Sequence, residues 1–227
     1  MQTLISFLRR LDANNERNWF NAHKAEYQAV HDMFLRFTDE LICEISRFDP
    51  SVSGLTAKDC TYRIYRDVRF SDDKRPYKTH MGAFICPEGK KSPYSGYYFH
   101  VSTGGDGYPG AHMLATGDYC HTPEALRIIR EDIVNGEGDF EQTLQQAAPV
   151  FELDRDGALK RNPKGFPLDA PYSEYIRLKS YCLCATVDDD FICAPNLAKR
   201  VADLFKSTKP FLDYINRAID FSLHYNS

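Results

Sequence analysis

The apolar residues of this chain change period once, near residue 60. Before that point Phe20, Tyr27, Val30, Phe34, Phe37, Leu41, Ile45 and Phe48 recur at helical intervals, which places them on one face of a helix. The stripe predicts one long helix of about eight turns, ended by Asp49-Pro50 and Gly54. Leu4, Ile5, Leu8 and Leu11 predict a shorter amphipathic helix over 3–11. Asn14 or Asn15 is placed to cap the long helix that follows, because a short polar side chain can accept from an unpaired N–H of the first turn.

Beyond residue 60 the pattern alternates. In Tyr62–Phe70 one face reads Tyr62, Ile64, Arg66, Val68, Phe70 and the other Arg63, Tyr65, Asp67, Arg69, which predicts a half-buried strand. Thr79–Cys86, Tyr94–Ser102 and Ala111–Thr116 read as further strands, separated by the turn-rich segments PEGKKSP and GGDGYPG. Short connections between successive strands imply an antiparallel meander. Thr122-Pro123 opens a helix whose buried edge is Leu126, Ile129 and Ile133, and Asn135-Gly136 ends it. A helix over Phe140–Ala148, a strand or hairpin over Pro149–Leu159, an extended loop RNPKGFPLDAP, a helical segment Pro171–Leu178 and a buried strand Ser180–Val187 follow. C-terminal helices kinked at Pro210 complete the chain. The expected fold is α+β: a curved antiparallel sheet of five or more strands, packed by the long N-terminal helix and the C-terminal helices. No charge run, repeat or low-complexity linker divides residues 1–227, which read as a single domain.

Composition narrows the function classes. The chain is 43% hydrophobic and 26% charged, in the globular range. Its formal charge of −4 argues against a general nucleic-acid binder but leaves room for a local anion site. No run approaches the roughly 18 apolar residues of a membrane helix. The start MQTLISFLRRLD lacks the regions of a signal peptide, so a cytoplasmic location is expected. Seven cysteines occur without a CxxC. Cys182 and Cys184 would share one strand face, a geometry suited neither to a disulfide between them nor to a zinc knuckle. Reduced core thiols are the expected state.

One stretch departs from the acidic average. Thr61–His80 holds six Lys/Arg against three Asp, a net charge of +3, so the rest of the chain sums to −7. Arg63, Tyr65 and Arg69 project from one face at period two, and Lys74, Arg75 and Lys78 lie in or after the turn. Such cations can grip phosphate or carboxylate. The ordinary alternative is an exposed face on which Arg63, Asp67 and Arg69 pair with one another. Arg66 falls on the apolar face, where a buried guanidinium requires a carboxylate or an anion. The ligand-binding candidates are therefore Arg63, Tyr65, Arg66, Arg69 and Lys78.

His80, His100 and His112 sit in separate strands, with His121 just beyond. No HxH or HxxxH joins them, so neither a metal nor a cofactor is expected. Alternation sets His80 with Gly82 and Phe84, and His100 with Tyr98. His80 and His100 are the acid/base candidates. GGDGYPG fits no phosphate-loop pattern, and no serine nucleophile elbow occurs.

NERNWFNAHKAEY (15–27), YRIYRDVRFSDDKRPYKTHMGA (62–83), GYYFHVS (96–102) and LKRNPKGFPLDAP (159–171) resemble the mostly bacterial family known as domain of unknown function 2461. The resemblance covers nearly the whole chain. It implies one cytosolic α+β domain and supplies no catalytic residues, but it emphasises polar and cationic positions such as Arg63, Arg66, Lys78 and His80. The expected function is an enzyme acting on a small anionic ligand in a cationic cleft. The alternative is a non-catalytic module that binds an anionic ligand, a nucleic acid or a protein partner through the same surface.

Overall fold

Five strands and ten α-helices organise the described residues, which are 1–103, 110–118 and 120–224 of the computed structural model. In chain order they are α1 (Gln2–Ala13), α2 (Arg17–Ala22), α3 (Lys24–Ser46), α4 (Ala57–Cys60), β1 (His80–Ile85), β2 (Gly96–Ser102), β3 (His112–Asp118), α5 (Pro123–Asn135), α6 (Asp139–Ala147), β4 (Glu152–Leu153), α7 (Ser173–Ile176), β5 (Tyr181–Val187), α8 (Asp189–Cys193), α9 (Leu197–Lys206) and α10 (Lys209–His224). The sheet is open and antiparallel throughout, in the order β1-β2-β3-β5-β4. The meander runs through β1–β3. Then β5 pairs with β3, and the two-residue β4 forms the edge.

Alternation divides the sheet into two unlike faces. Ala83, Ile85, Tyr97, Phe99, Leu114 and Leu183 belong to the main core. There Phe99 packs on Phe34 and Phe37 of α3, and Tyr97 on Phe205 of α9. The opposite face carries a second, small cluster made of strand residues alone: Tyr98, Met113, Ala115, Cys182 and Cys184.

Several local expectations change in the structure. The long apolar stripe becomes two helices, because His23 (φ −109°, ψ 18°) leaves helical geometry between α2 and α3. Its ring Nδ1 hydrogen-bonds the Trp19 carbonyl at 2.8 Å, meeting one of the acceptors that a helix end exposes. Neither Asn14 nor Asn15 caps α2, whose N-cap is Glu16. Asn15 instead reads the backbone of Tyr77: its Nδ2 donates to the Tyr77 carbonyl at 3.0 Å, and its Oδ1 accepts from the Tyr77 N–H at 3.1 Å. Pro210 is the second residue of α10; a first-turn N–H has no intrahelical acceptor, so proline starts this helix rather than kinking it.

Tyr62–Phe70 is not a regular strand. Its pairing reduces to one isolated bridge, Tyr65 with Tyr77, and a second, Thr61 with Ala83, lies just before it. Pro76 offers its carbonyl to Arg66 N–H at 2.9 Å but has no N–H to return. The segment is an irregular arm, anchored by buried Ile64 and Tyr77. Tyr77 stacks on Phe20 of α2 at 4.0 Å, and Tyr65 meets the same ring edge-on at 5.9 Å. The expected cap of α5 holds, with Thr122 Oγ1 accepting from Ala125 N–H at 3.1 Å. GGDGYPG lies, apart from Gly110, outside the described residues.

Candidate functional site on the open face of the sheet

The basic arm largely neutralises itself. Arg66 Nη1 donates to Asp73 Oδ2 at 2.5 Å, and its side chain is only 21% exposed. Arg75 reaches the same carboxylate and also Asp12 of α1. Arg75 first and Arg66 second hold the Asp73 carboxyl well below the usual carboxylate range. Arg69 grips Asp67 through Nε at 2.9 Å and Nη2 at 2.7 Å. Lys74 donates to the Val68 carbonyl at 3.1 Å. Arg63 and Tyr65 are exposed. The arm is thus mostly an ion-paired scaffold.

What the arm delivers is its last turn toward the sheet. Lys78 and His80 line a cavity of about 420 Å³ on the open face, together with Tyr62, Phe84, Tyr98 and Asp118. The cross-strand register explains the hollow. Phe84 opposes Tyr98, Tyr98 opposes Ala115, and Gly117 opposes Cys182. Small residues at 115 and 117 lie between larger side chains. Gly117 is also required by the backbone: its φ is +129°, and a Cβ there would lie 2.1 Å from the Tyr181 carbonyl oxygen. Gly82 has a different reason. A Cβ on it would lie 2.7 Å from the Tyr98 hydroxyl, so glycine lets the Tyr98 ring lie across β1.

That ring orientation brings Tyr98 to His100. The His100 side chain is fully buried, with Nε2 2.8 Å from the Ala111 carbonyl and Nδ1 3.1 Å from the Tyr98 hydroxyl. A carbonyl only accepts, so Nε2 carries the proton and Nδ1 accepts from the Tyr98 O–H. Burial pushes His100 down to about 4, which keeps the ring neutral at pH 7. His80 is pushed down to about 4 as well, first by burial, then by the charges of Lys78 and Arg66. Its Nδ1 is sealed from solvent and has no hydrogen-bond partner among the described residues. The two imidazoles lie 5.5 Å apart. Lys78 is lowered by burial and by Arg63, and its ammonium sits 5.3 Å from the Tyr62 ring centre, within cation–π range.

Of the sequence-predicted residues, Lys78 and His80 meet at the cavity, with His100 held behind Tyr98. Arg66 and Arg69 are engaged with carboxylates, and Arg63 acts on the site through its field at Lys78. Tyr62, Phe84, Tyr98 and Asp118 were not among the site residues inferred from sequence. Their signal was present as Ala115 and Gly117, the small residues that open the hollow, and as Gly82, which admits the Tyr98 ring. His112 is occupied elsewhere: Nδ1 accepts from Ser102 N–H at 3.0 Å and Nε2 donates to Asp189 of α8 at 3.0 Å. Among the described residues no three His, Cys, Asp or Glu side chains are grouped to hold a metal ion, and no helix is long and apolar enough to cross a membrane.

Helices on one face of an open antiparallel sheet, and a mostly apolar cavity on the other, define an α+β protein with a small-molecule-sized hollow. The family described as conserved hypothetical protein (DUF2461) matches residues 3–214, and the chain belongs to it. Neither a curated protein nor a solved structure matches significantly.

Proposed function

We propose that this protein is an enzyme acting on a small anionic molecule held in the open-face cavity. The observation that carries the reading is the convergence of Lys78 and His80 on a hollow walled by Tyr62, Phe84 and Tyr98. The Lys78 ammonium supplies a charge for a phosphate or carboxylate, strengthened by partial removal from water. A neutral His80 at that rim can exchange a proton with a bound substrate, and an anion beside it raises its proton affinity. The apolar walls suit the body of the ligand and Lys78 its charged end, which favours a compact, flat molecule with one acidic group. The seven thiols fit a reducing, cytoplasmic setting.

A thermal-shift screen against phosphate, carboxylates, sugar phosphates and nucleotides tests this reading. Stabilisation by one class that disappears in Lys78→Met supports it. An equal shift in Lys78→Met and wild type would sink it.

A second reading rests on Phe70, which is 96% exposed at the arm tip with the Arg69 guanidinium 5.9 Å from its ring. An exposed aromatic beside a cation suits a non-catalytic module docking an anionic protein surface. Phe70→Ala separates the two, since it abolishes docking and leaves the cavity intact.

A further inference from the structure

Cys182 and Cys184 point from β5 into the open face with their Sγ atoms 3.7 Å apart. Both strand positions are fixed by pairing, Cys182 opposite Gly117 and Cys184 opposite Ala115, so the facing residues leave the sulfurs room. Met113 packs in the same cluster. Cys184 and Met113 also line a neighbouring hollow of about 490 Å³ at the β4 side of the sheet, while Cys182 lines the cavity of about 420 Å³ that Lys78 and His80 share. The sulfurs therefore form a soft patch between two openings.

Two thiols on one strand face have two chemical outlets. A disulfide would have to close between residues two apart on an extended strand, at the far end of the Cα separations that the bond tolerates. A bridging ion needs no such closure. With metal–thiolate bonds of about 2.3 Å, sulfurs 3.7 Å apart subtend an angle of about 107° at the ion, which leaves room for further ligands. Zinc fills four positions from nitrogen, sulfur or carboxylate donors, and the described residues offer no such set. Soft monovalent copper is satisfied by fewer ligands and favours thiolate and thioether.

We propose that Cys182, Cys184 and Met113 form a binding site for one Cu(I) ion on the open face of the sheet. Cys182 and Cys184 bind as thiolates and release their protons on binding, and Met113 supplies a thioether. The entry path is the β4-side hollow, onto which Cys184 and Met113 open. The proposal does not rest on the anion-binding reading, because its ligands include neither Lys78 nor His80, although Cys182 also borders that cavity.

The test is Cu(I) titration of the reduced full chain under anaerobic conditions against a chromogenic Cu(I) chelator. The expected result is one equivalent retained by wild type and by Cys193→Ser. Cys184→Ser and Cys182→Ser are each expected to bind at least about tenfold more weakly. Met113→Leu is expected to weaken binding by a smaller factor, with thermal melts verifying that each variant folds. Cys184 is only half-buried, so its variant remains informative if Cys182→Ser does not fold. Equal retention by Cys184→Ser and wild type would overturn the proposal. So would folded, fully reduced wild type that retains no copper against the chelator.

Discussion

The Arg66 guanidinium lies 2.5 Å from the Asp73 carboxylate, seven residues further along the same arm. A cation placed by alternation on an apolar face thus finds its counter-charge within the turn. The pair folds the arm over itself and leaves Lys78, rather than Arg66, facing the cavity.

Asp73→Asn is expected to lower the melting temperature at neutral pH, because two guanidinium groups lose their shared partner. The Asp73 carboxyl is held below its ordinary range by Arg75 and Arg66, so its contribution is present above the unfolded carboxylate range and lost as pH falls below it. The gap between wild type and Asp73→Asn should therefore narrow in acid. A gap that is constant down to the acid transition would show that the ion pairs do not stabilise the arm.

Arg66 and Lys78 should separate in ligand affinity. Lys78→Met is expected to weaken binding of the anionic ligand by about tenfold or more, the loss of one charge-assisted hydrogen bond. Arg66→Ala, compared at a temperature where both proteins are folded, should change it by less than about threefold. Isothermal titration of both variants checks this, and the reverse order would return the site to the arm.

Tyr98→Phe removes the donor to His100 Nδ1. With His100 fully buried, the unpaired nitrogen is expected to cost about 1–3 kcal/mol. Urea unfolding measures the loss, and a variant as stable as wild type would refute the hydrogen bond. Gly82→Ala should be destabilising through the same ring. Its new Cβ falls 2.7 Å from the Tyr98 hydroxyl, so the Tyr98 side chain must move off β1 and away from His100.

Stability should also depend on the two buried imidazoles. His80 and His100 are pushed from 6.5 to about 4 in the fold. Between these values the unfolded chain binds protons that the native state does not. Stability is then full above the unfolded pKa and falls as pH drops through the window, by up to roughly 3 kcal/mol per histidine. Urea midpoints across this window should show the decline, and His80→Gln should remove about half of it. Midpoints that stay flat across the window would contradict neutral burial of both rings.

Much of the architecture was legible because it follows from local periodicity. The stripe through Phe34, Phe37 and Leu41 became the core face of α3, and the alternation of 79–86 and 94–102 became β1 and β2. Thr122-Pro123 marked a helix start through chemistry confined to one turn. Asn15 misled for the opposite reason. A capping role can be read locally, but its true partner, the Tyr77 backbone, is 62 residues away. The 62–70 segment kept the alternation of a strand and lost the ladder to Pro76.

The sequence by itself determined that Arg66 must meet a counter-charge, that His80 shares a face with Gly82 and Phe84, and that Cys182 lies beside Cys184. These follow from strand period and the cost of burying charge. Only the tertiary structure decided which carboxylate serves Arg66, which face of the sheet stays uncovered by the main core, and that Lys78 and His80 open onto a hollow. Those outcomes depend on register between strands distant in sequence and on where the helices pack, and neither is encoded in the residues near the site.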